Sequence, residues 1–193
     1  NGQLIGTVER DIQVTVINCN NNLPTLSGIN GTNVFSATIC ANQPYCFNIY
    51  SDDSDGGQTL FLSYDNSIDS ATFSSAGTPH PTGTFCWTPT DADISATPHC
   101  FTVKVTDDAC PMFGSQIYSY CITVVGVNVN AGADQYITCS DLATITATAS
   151  GRTGGPYTYQ WSNGFTNPTQ TVGPGTYLVT VSDGTCSATD TVS

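Results

Sequence analysis

The stretch TGTFCWTPTDADISATPHCFTVKVTDDACP, Thr82 to Pro111, decides how this chain folds. It opens on a short alternating run in which Phe85 and Trp87 share one face. It breaks at a Thr-Pro pair and a polar turn, then resumes with Phe101, Val103 and Val105 on one face. Successive side chains of a strand point to opposite sides, so each run predicts a strand with one face in a core. Aromatic and β-branched residues on both buried faces suit two sheets packed against each other.

The same pattern recurs in both directions. RDIQVTVI, YCFNIYS, TLFLSYD, YSYCITVVGVNV, ATITATAS, YTYQWS and GTYLVTVSD all read as strands, separated by turn-forming clusters such as SDDSDGG, AGTPHPTG and GRTGG. Helix signals are nearly absent. The expected class is all-β, as tandem sandwiches. Three strands read as the last strand of a unit: DIQVTVI, SYCITVVGVNVN and CSATDTVS. They divide the chain into the last strand of a preceding domain (1–20), a first sandwich (21–126) and a second (127–193). On this division NCNNNLP, Asn18 to Pro24, is a joint between domains, the rival being a polar loop inside one domain.

Composition narrows the partners. Three cationic residues, Arg10, Lys104 and Arg152, stand against 15 acids, and the net charge is −12. Neither a phosphate backbone nor an anionic membrane surface attracts such a chain, so nucleic acid and direct membrane insertion are excluded as partners. Nine cysteines are present, with no CxxC pair and no zinc-like spacing to His80 or His99. Disulfides in an oxidising, extracellular setting are the better reading.

The joint resembles the inter-domain linker of cadherins, D-x-N-D-N-x-P. Asn20, Asn22 and Pro24 agree with it, whereas Asn18 and Asn21 stand where cadherins have aspartates. Asp53 and Asp55 fall on the cadherin D-x-D, and Asp107 on a further aspartate before the last hairpin. The resemblance implies a weak Ca²⁺ site of Asn20, Asn22, Asp53, Asp55 and Asp107, since calcium takes six to eight oxygens from carboxylates, amides and carbonyls. The opening stretch resembles bacterial cadherin-like immunoglobulin domains, whose mark is F-x-W-T-P followed by an aromatic-x-V-x-V strand. NAGADQYITCSDLATITATASG, YTYQWSNG and GPGTYLVTVSDGTCSATDTV resemble repeats of large surface adhesins of Bacteroidota, including gliding-motility adhesins. That likeness implies type IX secretion, a cell-surface or extracellular location, and neighbouring domains of one long chain as partners. Surface glycans or proteins are further expected partners. DSA at Asp69–Ala71 and DTV at Asp190–Val192 resemble the O-glycan acceptor signal of such secreted proteins, at Ser70 and Thr191.

Face assignments predict three bridges. The second sandwich contains just Cys139 and Cys186, which pair by default and would close a loop of ~48 residues worth roughly 4 kcal/mol. A Cys139 that is free, or paired with a cysteine of the first sandwich, would sink the two-sandwich division as well as the bridge. With Phe101 and Ile122 inward, Cys100 and Cys121 point outward about opposite each other; with Phe47 and Phe85 inward, so do Cys46 and Cys86. Cys19, Cys40 and Cys110 remain, with Cys19–Cys110 conceivable across the joint.

No catalytic constellation emerges. His80 and His99 both lie beside prolines in turn-like sequence, and the paired acids DDSD, DAD and DD lie in turns. Tyr157, Tyr159 and Trp161 share a face, either as core against a disulfide or as a sugar-stacking platform. A glycine two residues before Tyr177 suits a tyrosine corner. The expected function is a non-catalytic structural or adhesive repeat of a long secreted or surface adhesin. Its rivals are a polysaccharide-binding accessory region of a secreted enzyme and a subunit of an extracellular filament.

Overall fold

The structure, a computed structural model, describes residues 20–109, 111–151 and 156–193. Within them the chain is all-β, and strands build two hydrophobic cores that part between Val124 and Val125.

In the first sandwich, β1 (Thr25–Leu26), β2 (Ser36–Cys40), β3 (Tyr45–Asp52), β4 (Phe61–Tyr64), β5 (Thr72–Ala76), β6 (Thr82–Trp87), β7 (His99–Thr106) and β8 (Ser115–Val125) form two four-stranded sheets. Their orders are β1-β3-β6-β5 and β2-β8-β7-β4. The chain entering the domain is shared between the sheets: β1 pairs antiparallel with β3, and β2 pairs parallel with β8. This is the order of an immunoglobulin-like sandwich.

The core follows from the alternation in the opening stretch. Phe85 and Trp87 of β6 and Phe101, Val103 and Val105 of β7 are all buried. Phe85 and Phe101 come from opposite sheets and stack with ring centroids 4.3 Å apart and planes 8° from parallel. Phe47 and Tyr120 pack on the same rings. The Tyr120 hydroxyl donates to the carbonyl of Ser27 at 2.7 Å, tying β8 to the entering chain. Burial pushes that phenol well above its ordinary pKa.

The second sandwich comprises β9 (Val127–Asn130), β10 (Ala143–Thr146), β11 (Thr148–Gly151), β12 (Thr158–Trp161), β13 (Thr169–Val172), β14 (Tyr177–Ser182) and β15 (Ser187–Val192). β12, β14 and β15 make one sheet, β10 pairs with β13, and β11 pairs with β9. Trp161 is 1% exposed, packed in the core that holds Val179, Val181 and Cys186, and its indole N–H donates to the carbonyl of Asn167 at 2.9 Å. Trp161 therefore belongs to the core and not to a sugar platform. The Tyr177 hydroxyl donates to the carbonyl of Gly173 at 3.0 Å, closing a tyrosine corner.

Two long strands expected from the sequence are broken. The run through YSYCITVVGVNV stops at Gly126 and restarts as β9. A Cβ on Gly126 would meet the tip of the Ile94 side chain at 2.5 Å, so any larger residue there requires Ile94 to shift. ATITATAS divides into β10 and β11, whose partners are different strands. Four strands escape sequence reading: β1, β2, β5 and β13. They are short, and β5 is mostly exposed, so they carry little apolar alternation.

Three disulfides are formed among the described residues. Cys46–Cys86 and Cys100–Cys121 join residues directly opposite across β3/β6 and β7/β8. The third corrects the expectation for the second sandwich: Cys186 bonds to Cys40 of the first, and Cys139 is free and exposed. The reason is topological. Cys186 immediately precedes β15 where the two sandwiches meet, and where Ala41 N–H donates to the carbonyl of Val125. Cys139 follows β9 to the opposite end, where Gln135 N–H donates to the carbonyl of Ser193. Cys139 is thus free, the outcome expected to sink the two-sandwich division; that expectation is corrected too, because two separate cores form with the bridge running between them and not within the second. Cys19 and Cys110 lie outside the described residues, as does nearly all of the segment read as a preceding strand.

Candidate functional site

The expected ligands converge in part at the end of the first sandwich remote from Cys40. Each element has a local reason to be there. Asp53 and Asp55 follow β3 in a polar turn ending in Gly56-Gly57, and Asp107 follows β7 at the mouth of the β7–β8 hairpin. The entering segment, residues 20–24, crosses between them, and Pro24 is buried.

Asn22 donates its backbone N–H to Asp55 Oδ2 and its Nδ2 to Asp55 Oδ1, at 2.6 and 2.7 Å. Those bonds, the backbone one foremost, hold the Asp55 carboxyl below the usual carboxylate range. Asn21 Nδ2 donates to Asp107 Oδ2 at 3.0 Å, while Asp107 Oδ1 accepts the N–H groups of Gly114 and Ala109 at 2.8 and 3.0 Å. Asp107 is 2% exposed, and a Cβ on Gly114 would strike its carboxylate at 2.5 Å. Glycine there lets the hairpin backbone reach an acid that is otherwise sealed.

Sequence reasoning cast the asparagines as oxygen donors. In the structure Asn21 and Asn22 present N–H groups to the carboxylates instead. Asn20 is exposed and apart from these contacts. Asp53 Oδ1 accepts the Asp55 N–H at 2.9 Å, but its buried Oδ2 has no hydrogen-bond partner. Gln58, missed from the sequence because only its polarity marks it, donates Nε2 to Asn21 Oδ1 at 2.8 Å. Its buried Oε1 is likewise without a partner. Among the described residues, no group of three or more His, Cys, Asp or Glu side chains is placed to share a metal ion.

The other candidates are scattered. His99 is the first residue of β7 and not a turn residue; its ring meets Trp87, and its Nε2 is 2.8 Å from the carbonyl of Asp93. His80 lies 3.5 Å from Asp52. Ser70 and Thr191 are both exposed. At the far end of the second sandwich, Tyr136, Ile137, Ile145, Val172, Pro174 and Tyr177 contribute to an open cleft of about 380 Å³. No helix among the described residues is long and apolar enough to cross a membrane.

No protein-family model matches the chain, and no curated protein matches it. Solved structures of low identity do. An I-band fragment of titin is 10% identical over 88% of this chain and 64% of its own, with a TM-score of 0.42. The ectodomain of mouse nectin-like molecule 4 is 10% identical over 89% of this chain and 64% of its own, at 0.35. An endo-fucoidan hydrolase of glycoside hydrolase family 107 is 17% identical over 92% of this chain and 29% of its own, at 0.43. The chain thus spans less than two-thirds of each of these proteins.

Proposed function

We propose that this chain is a non-catalytic structural and adhesive segment of a long secreted or cell-surface adhesin of the Bacteroidota type, with neighbouring domains of the same chain as its partners. The observation that supports it most is the covalent tie between two immunoglobulin-like sandwiches, Cys40–Cys186. Such a tie suits a stiff spacer in an oxidising exterior more than a pair of freely moving catalytic modules. The cleft beside Tyr136 and Tyr177 supplies a surface for glycans or proteins. Export by the type IX route and O-glycans on the exposed Ser70 and Thr191 belong to the same reading; an intact mass equal to the bare, disulfide-bonded chain removes the glycans.

The joint is proposed to take calcium weakly. The unpartnered Asp53 Oδ2 and Gln58 Oε1 suit an electropositive occupant. Rotation of the Asn21 and Asn22 amides would add their oxygens beside Asp55 and Asp107, and the charge would stiffen the linker against the sandwich.

Particles coated with the chain, passed over the source cells and over immobilised polysaccharides, test the main reading. Retention on cells without release of reducing sugar is expected. Binding to the immobilised polysaccharides alone moves the chain to the accessory-region alternative, and sugar release overturns the non-catalytic reading.

A further inference from the structure

We infer that Cys40–Cys186 makes this chain a force-shielded tether, in which the covalent path between its ends runs through β1, β2 and β15 and leaves the strands between the two cysteines off it. The connectivity carries the argument. Entering residues pass β1, and β2 then runs parallel to β8 toward the joint, ending at Cys40 opposite Val125. Cys186 sits at the same joint: its Sγ is 3.9 Å from the carbonyl of Val125, and Cys40 Sγ is 3.4 Å from that of Thr185. From Cys186, β15 leads away to Ser193 at the far end. The covalent path from end to end is therefore the entering chain, β2, the disulfide and β15.

The bridged cysteines are 146 positions apart in sequence. All of β3 to β14 lies in the loop between them, with the Gly126 connection and the other two disulfides. Opening a closed covalent loop adds nothing to the path around it, so unfolding these strands adds no end-to-end length while the bridge is intact. Among the described strands, β1, β2 and β15 lie on the extensible path. β2 is held along its length by β8, and β15 by β14 through six residue pairs. The peptide connection at Gly126 is accompanied by a second covalent link between the two sandwiches. The inference extends the spacer role proposed above, but it concerns the load path, which exists whether or not the chain adheres to anything.

The test is single-molecule stretching of the full chain by handles at its two ends. Unfolding the unreduced wild type should release no length from residues 41–185. The Cys40→Ala/Cys186→Ala variant should add roughly 300 Å, because the two inner bridges still close their own loops, and reduced wild type roughly 500 Å, at about 3.4 Å per residue. A Cys46→Ala/Cys86→Ala variant keeps the shield and should extend no further than unreduced wild type, which separates shielding from a general effect of losing a disulfide. Unreduced wild type that extends as far as the Cys40→Ala/Cys186→Ala variant overturns the inference. Loss of adhesion with the short extension retained overturns only the adhesive reading.

Discussion

Asn22 grips both oxygens of Asp55, with its backbone N–H 2.6 Å from Oδ2 and its side-chain Nδ2 2.7 Å from Oδ1. One residue of the entering segment is thereby fastened to one turn of the sandwich, beside a single bond from Asn21 to Asp107. Neutral amides do here what a linker aspartate cannot: they donate to a carboxylate without bringing another negative charge to it.

That contact makes the linker sensitive to acid. The Asp55 carboxyl is held below its usual range, so its contribution is present above the ordinary carboxylate pKa of about 3.9 and is lost as pH falls through the lower folded value. The difference in melting temperature between wild type and Asp55→Ala is therefore expected to be largest at neutral pH and to close on acidification below about pH 4. A difference that stays constant down to pH 2 would place the effect elsewhere than in this carboxylate.

Calcium is expected to raise the melting temperature at millimolar concentration relative to chelator, by mass action on the folded joint. Asp53→Asn should abolish the increase while leaving the chelator value nearly unchanged, because Asp53 Oδ2 has no partner to lose. Wild type indifferent to calcium leaves the joint held by amides alone.

The stacked pair at the centre of the first sandwich should dominate its stability. Phe85 is fully buried against Phe101, so Phe85→Ala is expected to cost about 3–5 kcal/mol in urea unfolding. Phe113→Ala, at a residue 66% exposed, should stay within about 0.5 kcal/mol of wild type. Similar costs at the two positions would contradict the packing.

The pairing of Cys186 is checked by thiol chemistry. Without reductant, Cys139 should react with a maleimide in the folded state, and peptide maps should recover Cys40 linked to Cys186. A Cys139–Cys186 peptide would restore the pairing that the sequence suggests.

Residues such as Phe85, Trp87, Phe101 and Val105 determine by themselves that this chain is a β-sandwich protein. A period of two with one large apolar face is a local property, and it admits few structures other than packed sheets. Local spacing likewise sets Cys46 opposite Cys86 and Cys100 opposite Cys121, because neighbouring strands that point their core residues inward point the intervening cysteines outward together. Nothing local tells Cys186 that its partner is Cys40, since the two meet only when one sandwich is stacked on the end of the other. Nor does sequence show that Gly126 lies against the tip of Ile94, or that Asn21 and Asn22 turn their N–H groups rather than their oxygens toward Asp107 and Asp55. An amide is chemically two-sided, and which side faces a carboxylate is decided by the three-dimensional arrangement of charges around it.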